Sequence, residues 1–217
     1  MIYRLFKKIT DFGCSFIAVS ILAPLMILIA FLIKVGSPGP IFYRGERVGK
    51  DGKIFRIFKF RSMVMDAERK GGFSTAIDDP RLTSLGRFIR KHKLDELPQF
   101  FNVLAGDMSL VGPRPQVAFY TDKYEGDEKL ILSVKPGITD LASLYYADMD
   151  SVLGSGNVDS RYLTEIEPVK NQLRLKYIRE HSFLLDMRIL IETGFKLIGF
   201  ENVTKLNISL FEPKVNG

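Results

Sequence analysis

The segment from residue 12 to residue 33 carries no charged side chain, and it constrains the fold more than any other feature of the chain. As an α-helix, this segment would be about 33 Å long, which is enough to cross the hydrocarbon core of a bilayer. The segment is too long for the apolar region of a signal peptide and lacks the expected cleavage pattern. Length and composition therefore favour one membrane-spanning helix.

Pro24 lies at the middle of this apolar segment and favours a different path. A proline inside a helix removes one amide hydrogen bond and clashes with the preceding turn, so a bend is expected there. Both flanks are basic, and their cationic residues are Arg4, Lys7, Lys8, Lys34, Arg44 and Arg47. Because positively charged loops stay in the cytoplasm, a re-entrant helix that bends at Pro24 and returns satisfies both flanks. The charges alone leave the spanning and the re-entrant path open.

Asp11 lies at the edge of the apolar segment, where an unpaired carboxylate is costly. Lys7 or Lys8, about one helical turn earlier, is placed to pair with it. The alternative is that Asp11 stays in the hydrated headgroup layer. In both cases the sequence predicts that Lys8 and Asp11 lie at the membrane interface.

A basic stretch follows the apolar segment: residues 44 to 93 contain fourteen Lys or Arg and six Asp or Glu, in a chain whose net charge is +6. Such a stretch is typical of a solvated face, of an anion site against a membrane, or of a nucleic-acid surface. No recognised nucleic-acid-binding motif is present. We therefore expect anionic membrane lipids as partners, and no nucleic acid.

The rest of the chain predicts an α+β domain that is mainly α-helical. Ile41–Tyr43 and Ile54–Phe58 flank Asp51-Gly52, a pair that favours a tight turn, so a small β-hairpin is expected here. Apolar residues at helical spacing predict an amphipathic helix over Leu82–Leu94. Residues 183–200 predict a last helix that either lies at the membrane surface or covers the core.

Two short segments carry candidate chemistry. Asp95 precedes Glu96 and, three residues on, Pro98, a pattern typical of a helix start. Taken alone, Asp95 is therefore a better candidate for a helix N-cap than for a nucleophile. Arg114 stands between two prolines in MSLVGPRP (108–115), and a stiff backbone around an arginine suits bidentate phosphate binding.

Three motifs together resemble the bacterial sugar transferases, the small monotopic phosphoglycosyl transferases that start glycoconjugate assembly. The motifs are KFRSM (59–63), LDELPQFFNVLAGDMSLVGPRP (94–115) and KPGIT (135–139). The resemblance extends from Lys8 and Asp11 to SFLLDMRIL (182–190), which is nearly the whole chain. The run over 94–115 is far more specific than a short phosphate-binding motif.

The resemblance implies a re-entrant helix broken at the proline that matches Pro24. It implies three regions: a helix-break-helix over residues 1–36, a membrane-associated catalytic domain over 37–200 and a tail over 201–217. Both ends of the first region would be cytoplasmic, on the bacterial inner membrane.

The resemblance also implies roles for individual residues. Asp95 matches the catalytic nucleophile, and Glu96 matches the carboxylate that helps to hold Mg²⁺. Arg90 and Arg114 match arginines implicated in phosphate binding. Lys59 and Arg61, from the KFRSM motif, are further candidates for phosphate contacts.

The activity implied is transfer of a sugar 1-phosphate from a UDP-sugar to a polyprenol phosphate such as undecaprenyl phosphate. UMP would leave, an aspartyl-phosphosugar would form, and this would be the first membrane step of glycoconjugate or polysaccharide synthesis. A homodimer is compatible with the sequence. Two alternatives stay open: a membrane-bound glycosyltransferase that releases UDP, and a non-catalytic membrane scaffold.

Some positions depart from the pattern of these transferases. Ala23 stands where a serine often precedes the proline, and Gly45 stands where glutamine is frequent. The stretch DLASLYYAD (140–148) replaces a more common GWAQVNGR. These departures lie outside the catalytic motifs, so they affect the expected sugar and nucleotide specificity rather than the expected chemistry.

Overall fold

A computed structural model describes residues 2–67, 79–146 and 162–200 of this chain. Within those ranges the protein is mainly α-helical, and its strands form three separate two-stranded sheets. The predicted α+β, mainly α class is therefore confirmed. The predicted tail over 201–217 lies outside the described residues.

Helix α1 spans Ile2–Gly36 and contains the whole uncharged segment. By length and hydropathy it is sufficient to cross a membrane. Its less exposed positions recur every three or four residues: Lys7, Asp11, Ser15, Ala18, Leu22, Met26, Ile29 and Ile33. One face of α1 thus packs along the rest of the protein, while the other presents exposed Phe and Ile side chains.

Pro24 lies inside α1 and does not separate two helices. The sequence predicted a helix-break-helix here, and the element bounds differ from that prediction. A proline costs the helix one hydrogen bond and one steric adjustment, which packing on both sides can offset. Here Leu22 before Pro24 and Met26 after it both contact the same apolar cluster.

The first two sheets form from four short strands: β1 (Phe42–Tyr43), β2 (Glu46–Val48), β3 (Ile54–Arg56) and β4 (Lys59–Phe60). Strands β2 and β3 pair antiparallel across the Asp51-Gly52 turn, whose two residues have φ of 55° and 77°. The hairpin was predicted at this turn, but with Ile41–Tyr43 as its first strand. That segment contributes β1 instead, which pairs with β4. The nearer strand closes a shorter loop and therefore takes the place beside the turn.

Helix α2 (Ser84–Lys91) begins at Thr83, whose hydroxyl accepts a hydrogen bond from the Gly86 amide. It is shorter at both ends than the predicted Leu82–Leu94, because Thr83 caps it and Lys93 adopts a left-handed conformation, φ 56°. A 3-10 helix (Leu94–Glu96) and helix α3 (Gln99–Ala105) follow.

Strands β5 (Ser109–Val111) and β6 (Gly137–Thr139) form a parallel pair. No strand was predicted from the sequence at either segment, so the pairing is a new feature. The segments cross closely beside the pair, where a Cβ at Gly112 or Gly137 would collide with the backbone of the other. The remaining described helices are a 3-10 turn in the hairpin (Lys50–Gly52), α4 (Ala118–Thr121), a 3-10 helix (Gly126–Ser133), α5 (Leu141–Tyr145), a π-helical turn (Tyr162–Ile166), α6 (Glu167–Glu180) and α7 (Phe183–Leu197).

Two apolar clusters organise the packing. The larger one includes buried side chains from β3, α3, β5, α5, α6 and α7, with Ile189 of α7 fully buried. The second joins α1 to the segments beside the candidate site, through Met26, Ile29 and Ile33 packed with Phe60 and Ile89. Each such side chain contributes about 1.5–3 kcal/mol when fully buried. Helix α1 is therefore integral to the fold rather than an appended anchor.

Candidate active site

Asp95 and Glu96 lie in the 3-10 helix between α2 and α3. Asp95 was predicted to be a helix N-cap on the residues alone, and that prediction is wrong. The residue at the N-cap position of α3 is Pro98, and the short helix begins after Lys93 without a side-chain cap. Because the chain is already helical at Leu94, the Asp95 carboxylate is not used to satisfy a helix end.

Glu96 is the centre of a compact ion-pair cluster. Its Oε1 accepts a hydrogen bond from Lys59 Nζ at 2.9 Å. The two terminal nitrogens of Arg114 donate to its two oxygens, one of them to Oε2 at 3.0 Å. Burial opposes ionisation of Glu96, but the charges of Arg114 and Lys59 outweigh it and hold its pKa well below the usual range. Glu96 is therefore ionised and committed to two cations.

Asp95 is in the opposite situation, although it is the adjacent residue. It is 6% exposed, and it accepts no hydrogen bond from the residues that the structure describes. Burial and the charge of Glu96 raise its pKa, against the influence of Lys59, Arg90 and Arg114. Two neighbouring carboxylates with pKa values shifted in opposite directions indicate different chemical roles. Asp95 has the uncommitted carboxylate of the pair.

Asp140 positions Arg114, and sequence reasoning missed it. The Arg114 amide donates to Asp140 Oδ2 at 3.0 Å, while Asp140 Oδ1 accepts from the Ser143 amide at 2.6 Å as the N-cap of α5. Asp140 is almost completely buried. The pattern Asp-x-x-Ser after KPGIT is a local signal for the cap. No local signal indicates the bond to Arg114.

Asn102 positions the strand that carries Lys59. Its side chain is buried in α3, accepts a hydrogen bond from the Phe58 amide at 2.8 Å and donates one to the Arg56 carbonyl at 3.0 Å. The helix that follows Asp95-Glu96 thus holds the chain just before Lys59. The sequence contains no signal for this contact, because the partners are 44 and 46 positions apart.

The two other residues predicted to contact phosphate, Arg90 and Arg61, differ in their distance from the ion-pair cluster. Arg90, on α2, is half-buried and close enough that its charge lowers the pKa of Asp95. The structure does not bring Arg61 into the cluster. Its guanidinium donates to the carbonyls of Ser37 and Pro38 and to the Ser37 hydroxyl, at 2.6 to 2.8 Å. Arg61 therefore fastens the turn after α1 to β4, which uses the hydrogen bonds that a phosphate would need.

The predicted interface residues lie near the start of α1, with partners that the sequence did not predict. Asp11 accepts a hydrogen bond from the Leu110 amide of β5 at 3.1 Å. Lys7 pairs with Asp186 of α7 at 2.7 Å and donates to the Val111 carbonyl at 2.9 Å. Lys8 is exposed. Neither lysine is a hydrogen-bond partner of Asp11, because the β5 backbone takes that place.

The donor atoms of the site can be compared with what Mg²⁺ needs. Among the described residues, no three or more His, Cys, Asp or Glu side chains lie together in a way that could hold a metal ion. From the described part of the chain, Asp95 accepts no hydrogen bond, and Glu96 Oε2 accepts one, which leaves that oxygen a further lone pair. Mg²⁺ commonly binds to one or two carboxylates, with water and substrate phosphates completing its shell. The residues fit an ion of that kind rather than one enclosed by protein ligands.

The sequence of this chain matches one protein-family model and is similar to several known transferases. The family model described as bacterial sugar transferase matches residues 2–199. A UDP-N-acetylgalactosamine-undecaprenyl-phosphate N-acetylgalactosaminephosphotransferase of Aeromonas hydrophila is 39% identical over 198 residues, covering 88% of this chain and 43% of the relative. A UDP-glucose:undecaprenyl-phosphate glucose-1-phosphate transferase of Escherichia coli K12 is 37% identical over 203 residues, covering 92% and 41%.

A third relative is the undecaprenyl-phosphate galactose phosphotransferase of Salmonella typhimurium LT2. It is 44% identical over 153 residues, which cover 64% of this chain and 32% of the relative. The chain thus spans about a third to two fifths of the length of these three relatives.

Proposed function

This chain belongs to the bacterial sugar transferase family, and from that membership we propose that it transfers a sugar 1-phosphate from a UDP-sugar to undecaprenyl phosphate or a similar polyprenol phosphate. UMP is released and a polyprenol-diphosphate sugar forms. The names of the similar proteins describe transfers of this kind. The single observation that carries the proposal is the uncommitted, buried carboxylate of Asp95 beside a Glu96 that already holds Lys59 and Arg114.

Asp95 is the nucleophile in this proposal. A carboxylate oxygen bonds to the β-phosphorus of the UDP-sugar, and the bond from that phosphorus to the bridging oxygen breaks, so UMP leaves with the electron pair. The phosphate oxygen of the polyprenol then attacks the same phosphorus and releases the Asp95 carboxylate. Covalent catalysis of this kind divides one difficult displacement into two easier ones.

The cations around Asp95 suit an attack by an anion on a dianionic diphosphate. Lys59 and Arg114 are fixed by Glu96 before any substrate arrives, so positive charge is available without reorganisation. Arg90 adds a third cation from α2. A Mg²⁺ ion held by the carboxylates of Asp95 and Glu96 together with the substrate would neutralise negative charge on the diphosphate and favour departure of UMP.

We also propose that the protein is monotopic, with both ends of α1 on the cytoplasmic face of the inner membrane. Lys7, near the start of α1, bonds to α7, while Ile33, near its end, packs with Phe60 and Ile89. These two α1 residues are 26 positions apart, or about 39 Å along a straight helix. A bilayer core is about 30 Å thick. A spanning α1 would therefore put the segments packed against its two ends on opposite faces of the membrane. A re-entrant helix would keep both segments on the same face.

The exposed apolar face of α1 continues onto α7, which supports contact of both helices with lipid. The rings of Phe6 and Phe183 are 6.4 Å apart, and Leu184 and Ile191 of α7 are exposed. A helix with such a face lies in the membrane interface. This arrangement would place the site where a soluble donor and the phosphate of a lipid acceptor can both reach it.

Nucleotide release tests the reaction. The protein in nanodiscs would receive undecaprenyl phosphate and a panel of UDP-sugars, and released UMP and UDP would be separated by chromatography. We expect UMP from at least one donor, lost in Asp95→Asn and in EDTA. Asp51→Asn, the same substitution in an exposed turn, should retain the wild-type rate. UDP in place of UMP would indicate a glycosyltransferase, and unchanged activity in Asp95→Asn would remove Asp95 as nucleophile.

The covalent step has its own test. Incubation with a donor and no acceptor should leave a sugar-phosphate adduct on the peptide that contains Asp95, visible by mass spectrometry. Addition of undecaprenyl phosphate should discharge that adduct. An active enzyme that never carries the adduct would instead favour direct transfer between the two substrates.

A further inference from the structure

Lys170 is a buried lysine on α6 that the proposed chemistry does not use. It is 7% exposed, and its ammonium lies 3.4 Å from the Tyr162 hydroxyl. The ammonium is also 4.9 Å from the centre of the Tyr162 ring and 5.7 Å from that of Tyr146. An ammonium has three hydrogens to donate. Within the described ranges, one long hydrogen bond to a phenol is the only one it makes, and no carboxylate pairs with it.

The nearest acidic residue on α6 does not supply the missing acceptor. Glu167, one turn before Lys170, accepts a hydrogen bond from Arg174 at 2.7 Å, and Arg174 is held further by Asn171 at 2.6 Å. Burial lowers the pKa of Lys170 to about 7, with the charges of Arg174 and Arg114 acting in the same direction. Glu167 and Asp140 oppose this shift but do not offset it. Among the described residues, Lys170 thus lies close to two arginines and has no carboxylate paired with its ammonium.

Lys170 adjoins the arginine loop of the candidate site. Gln116 follows Arg114 by two residues, and its amide nitrogen lies 3.3 Å from the Tyr162 hydroxyl, the same oxygen that Lys170 approaches. Arg114 is also close enough for its charge to lower the pKa of Lys170. Tyr162 therefore joins the lysine to the loop that presents Arg114.

The position of Lys170 along α6 favours a soluble ligand over a lipid. Tyr177, later in the same helix, bonds to Asp186 and lies beside Lys7 of α1, which marks the end of α6 that faces α1. Lys170 is seven residues earlier, or about 10 Å away along the axis. As far as the structure describes it, the apolar cluster around Tyr162 contains residues of neither α1 nor α7; its members are Tyr120, Tyr162 and Ile166, with Val117, Tyr146 and Leu163 packed against them. Lys170 thus lies away from the apolar faces proposed to meet the membrane.

We propose that Lys170 is a donor-binding residue, whose ammonium binds a phosphate oxygen of the nucleotide-sugar beside Arg114. This inference rests on the proposed function, since it takes the UDP-sugar as donor. The phosphate supplies a hydrogen-bond acceptor that the described residues do not provide, and Tyr162 orients the ammonium towards that phosphate. Binding an anion would also relieve the repulsion among Lys170, Arg114 and Arg174.

Lys170→Met and Lys170→Arg test the inference, with Lys176→Met as control on the same helix, where Lys176 is more exposed. UDP binding to the protein in nanodiscs would be measured by calorimetry, and KM would be determined for donor and for undecaprenyl phosphate. We expect Lys170→Met to weaken UDP binding and raise the donor KM at least tenfold, with the acceptor KM within twofold of wild type. Lys170→Arg should retain part of the affinity, and Lys176→Met all of it.

Two results would overturn the inference: UDP affinity within twofold of wild type in a folded Lys170→Met, or a raised KM for undecaprenyl phosphate alone. The second would assign Lys170 to the lipid phosphate. UDP binding does not require turnover, so the two proposals fail separately. If the wild type releases no nucleotide but Lys170→Met still binds UDP more weakly, the proposed reaction is wrong and the proposed UDP contact at Lys170 stands. An active wild type with unaffected Lys170→Met removes only the site.

A pH series gives a readout that a purely structural lysine would not change. UDP affinity of the wild type should fall as pH rises from 7 to 9, because Lys170 loses its proton. Lys170→Arg stays charged throughout and should show no such fall over this range. Any titration of UDP itself affects both proteins equally and therefore cancels in the comparison. Parallel curves for the two proteins would contradict a charged contact between Lys170 and phosphate.

Discussion

The amide of Arg114 donates a hydrogen bond to the carboxylate of Asp140 at 3.0 Å. The other oxygen of that carboxylate caps α5 through the Ser143 amide. One buried side chain therefore sets both the start of a helix and the path of the loop that presents Arg114 to Glu96.

Asp140→Ala should affect stability and activity together. Loss of an N-cap and of the part-buried hydrogen bond to the Arg114 amide costs about 1–2 kcal/mol. The freed Arg114 loop should lower the rate of UMP release about tenfold, because small displacements of a positioning residue are costly. Asp140→Asn retains one acceptor oxygen and should be intermediate. Denaturant unfolding together with the nucleotide assay checks this, and a stable, fully active Asp140→Ala would contradict it.

Asn102→Leu should weaken the support of Lys59. The change leaves the half-buried Phe58 amide and the Arg56 carbonyl without their side-chain partner, and each lost hydrogen bond costs about 0.5–1.5 kcal/mol. Asn102→Asp can still accept from Phe58 and should lose less stability. We expect both variants to release UMP more slowly than wild type. If Asn102→Leu unfolds at the wild-type denaturant concentration, the two bonds do not stabilise the fold.

Lys7 and Asp186 should show strong coupling in a double-mutant cycle. Lys7→Met leaves the buried Asp186 with the hydroxyls of Tyr3 and Tyr177 as its partners within the described ranges, and it should cost about 3 kcal/mol. Lys7→Met combined with Asp186→Leu should recover part of that loss, because no unpaired charge remains. Lys8→Met, at an exposed position, should change stability by less than about 0.5 kcal/mol. Additive effects of Lys7 and Asp186 would exclude the coupling.

Lys170 should make stability depend on pH. Its pKa in the folded protein is about 7, below its ordinary value of 10.5, so between these values the unfolded chain binds more protons and stability rises with pH. Below pH 7 the ammonium stays buried and charged. Without ligand, Lys170→Met should therefore melt several degrees above wild type at pH 6, and this advantage should shrink towards pH 9. A difference in melting temperature that does not vary with pH would contradict the lowered pKa.

Pro24→Ala should straighten α1 towards a full span, because alanine restores the missing hydrogen bond and is favoured over proline inside a helix by about 3 kcal/mol. Cysteine accessibility at the start of the chain gives the measurement. Ile2→Cys in a Cys14→Ser background, labelled with an impermeant maleimide in spheroplasts and in inverted vesicles, should be cytoplasmic with Pro24 present. In Pro24→Ala part of the population should label from the periplasmic side. Identical labelling in both proteins would argue against a role for Pro24 in topology.

Two features of this protein followed from local sequence alone. The uncharged segment predicted the long helix, and Asp51-Gly52 predicted the turn of the hairpin. Both predictions depend on backbone propensity and on neighbours within a few residues, which a sequence displays directly. Asp95 and Glu96 were identified instead through the resemblance of whole motifs, and the structure adds that Lys59 and Arg114 bond to Glu96.

Only the tertiary structure decided which polar groups meet. Glu96 pairs with Lys59, 37 positions away, and Lys7 pairs with Asp186, 179 positions away. Arg61 instead donates hydrogen bonds to the turn at Ser37. The sequence alone identifies Asp95 and Glu96 as a pair of carboxylates. The fold determines that Glu96 is ion-paired and that Asp95 accepts no hydrogen bond from the described residues. The physical reason is that a buried charge selects its partner by distance and desolvation, and both are set only when the core brings distant segments together.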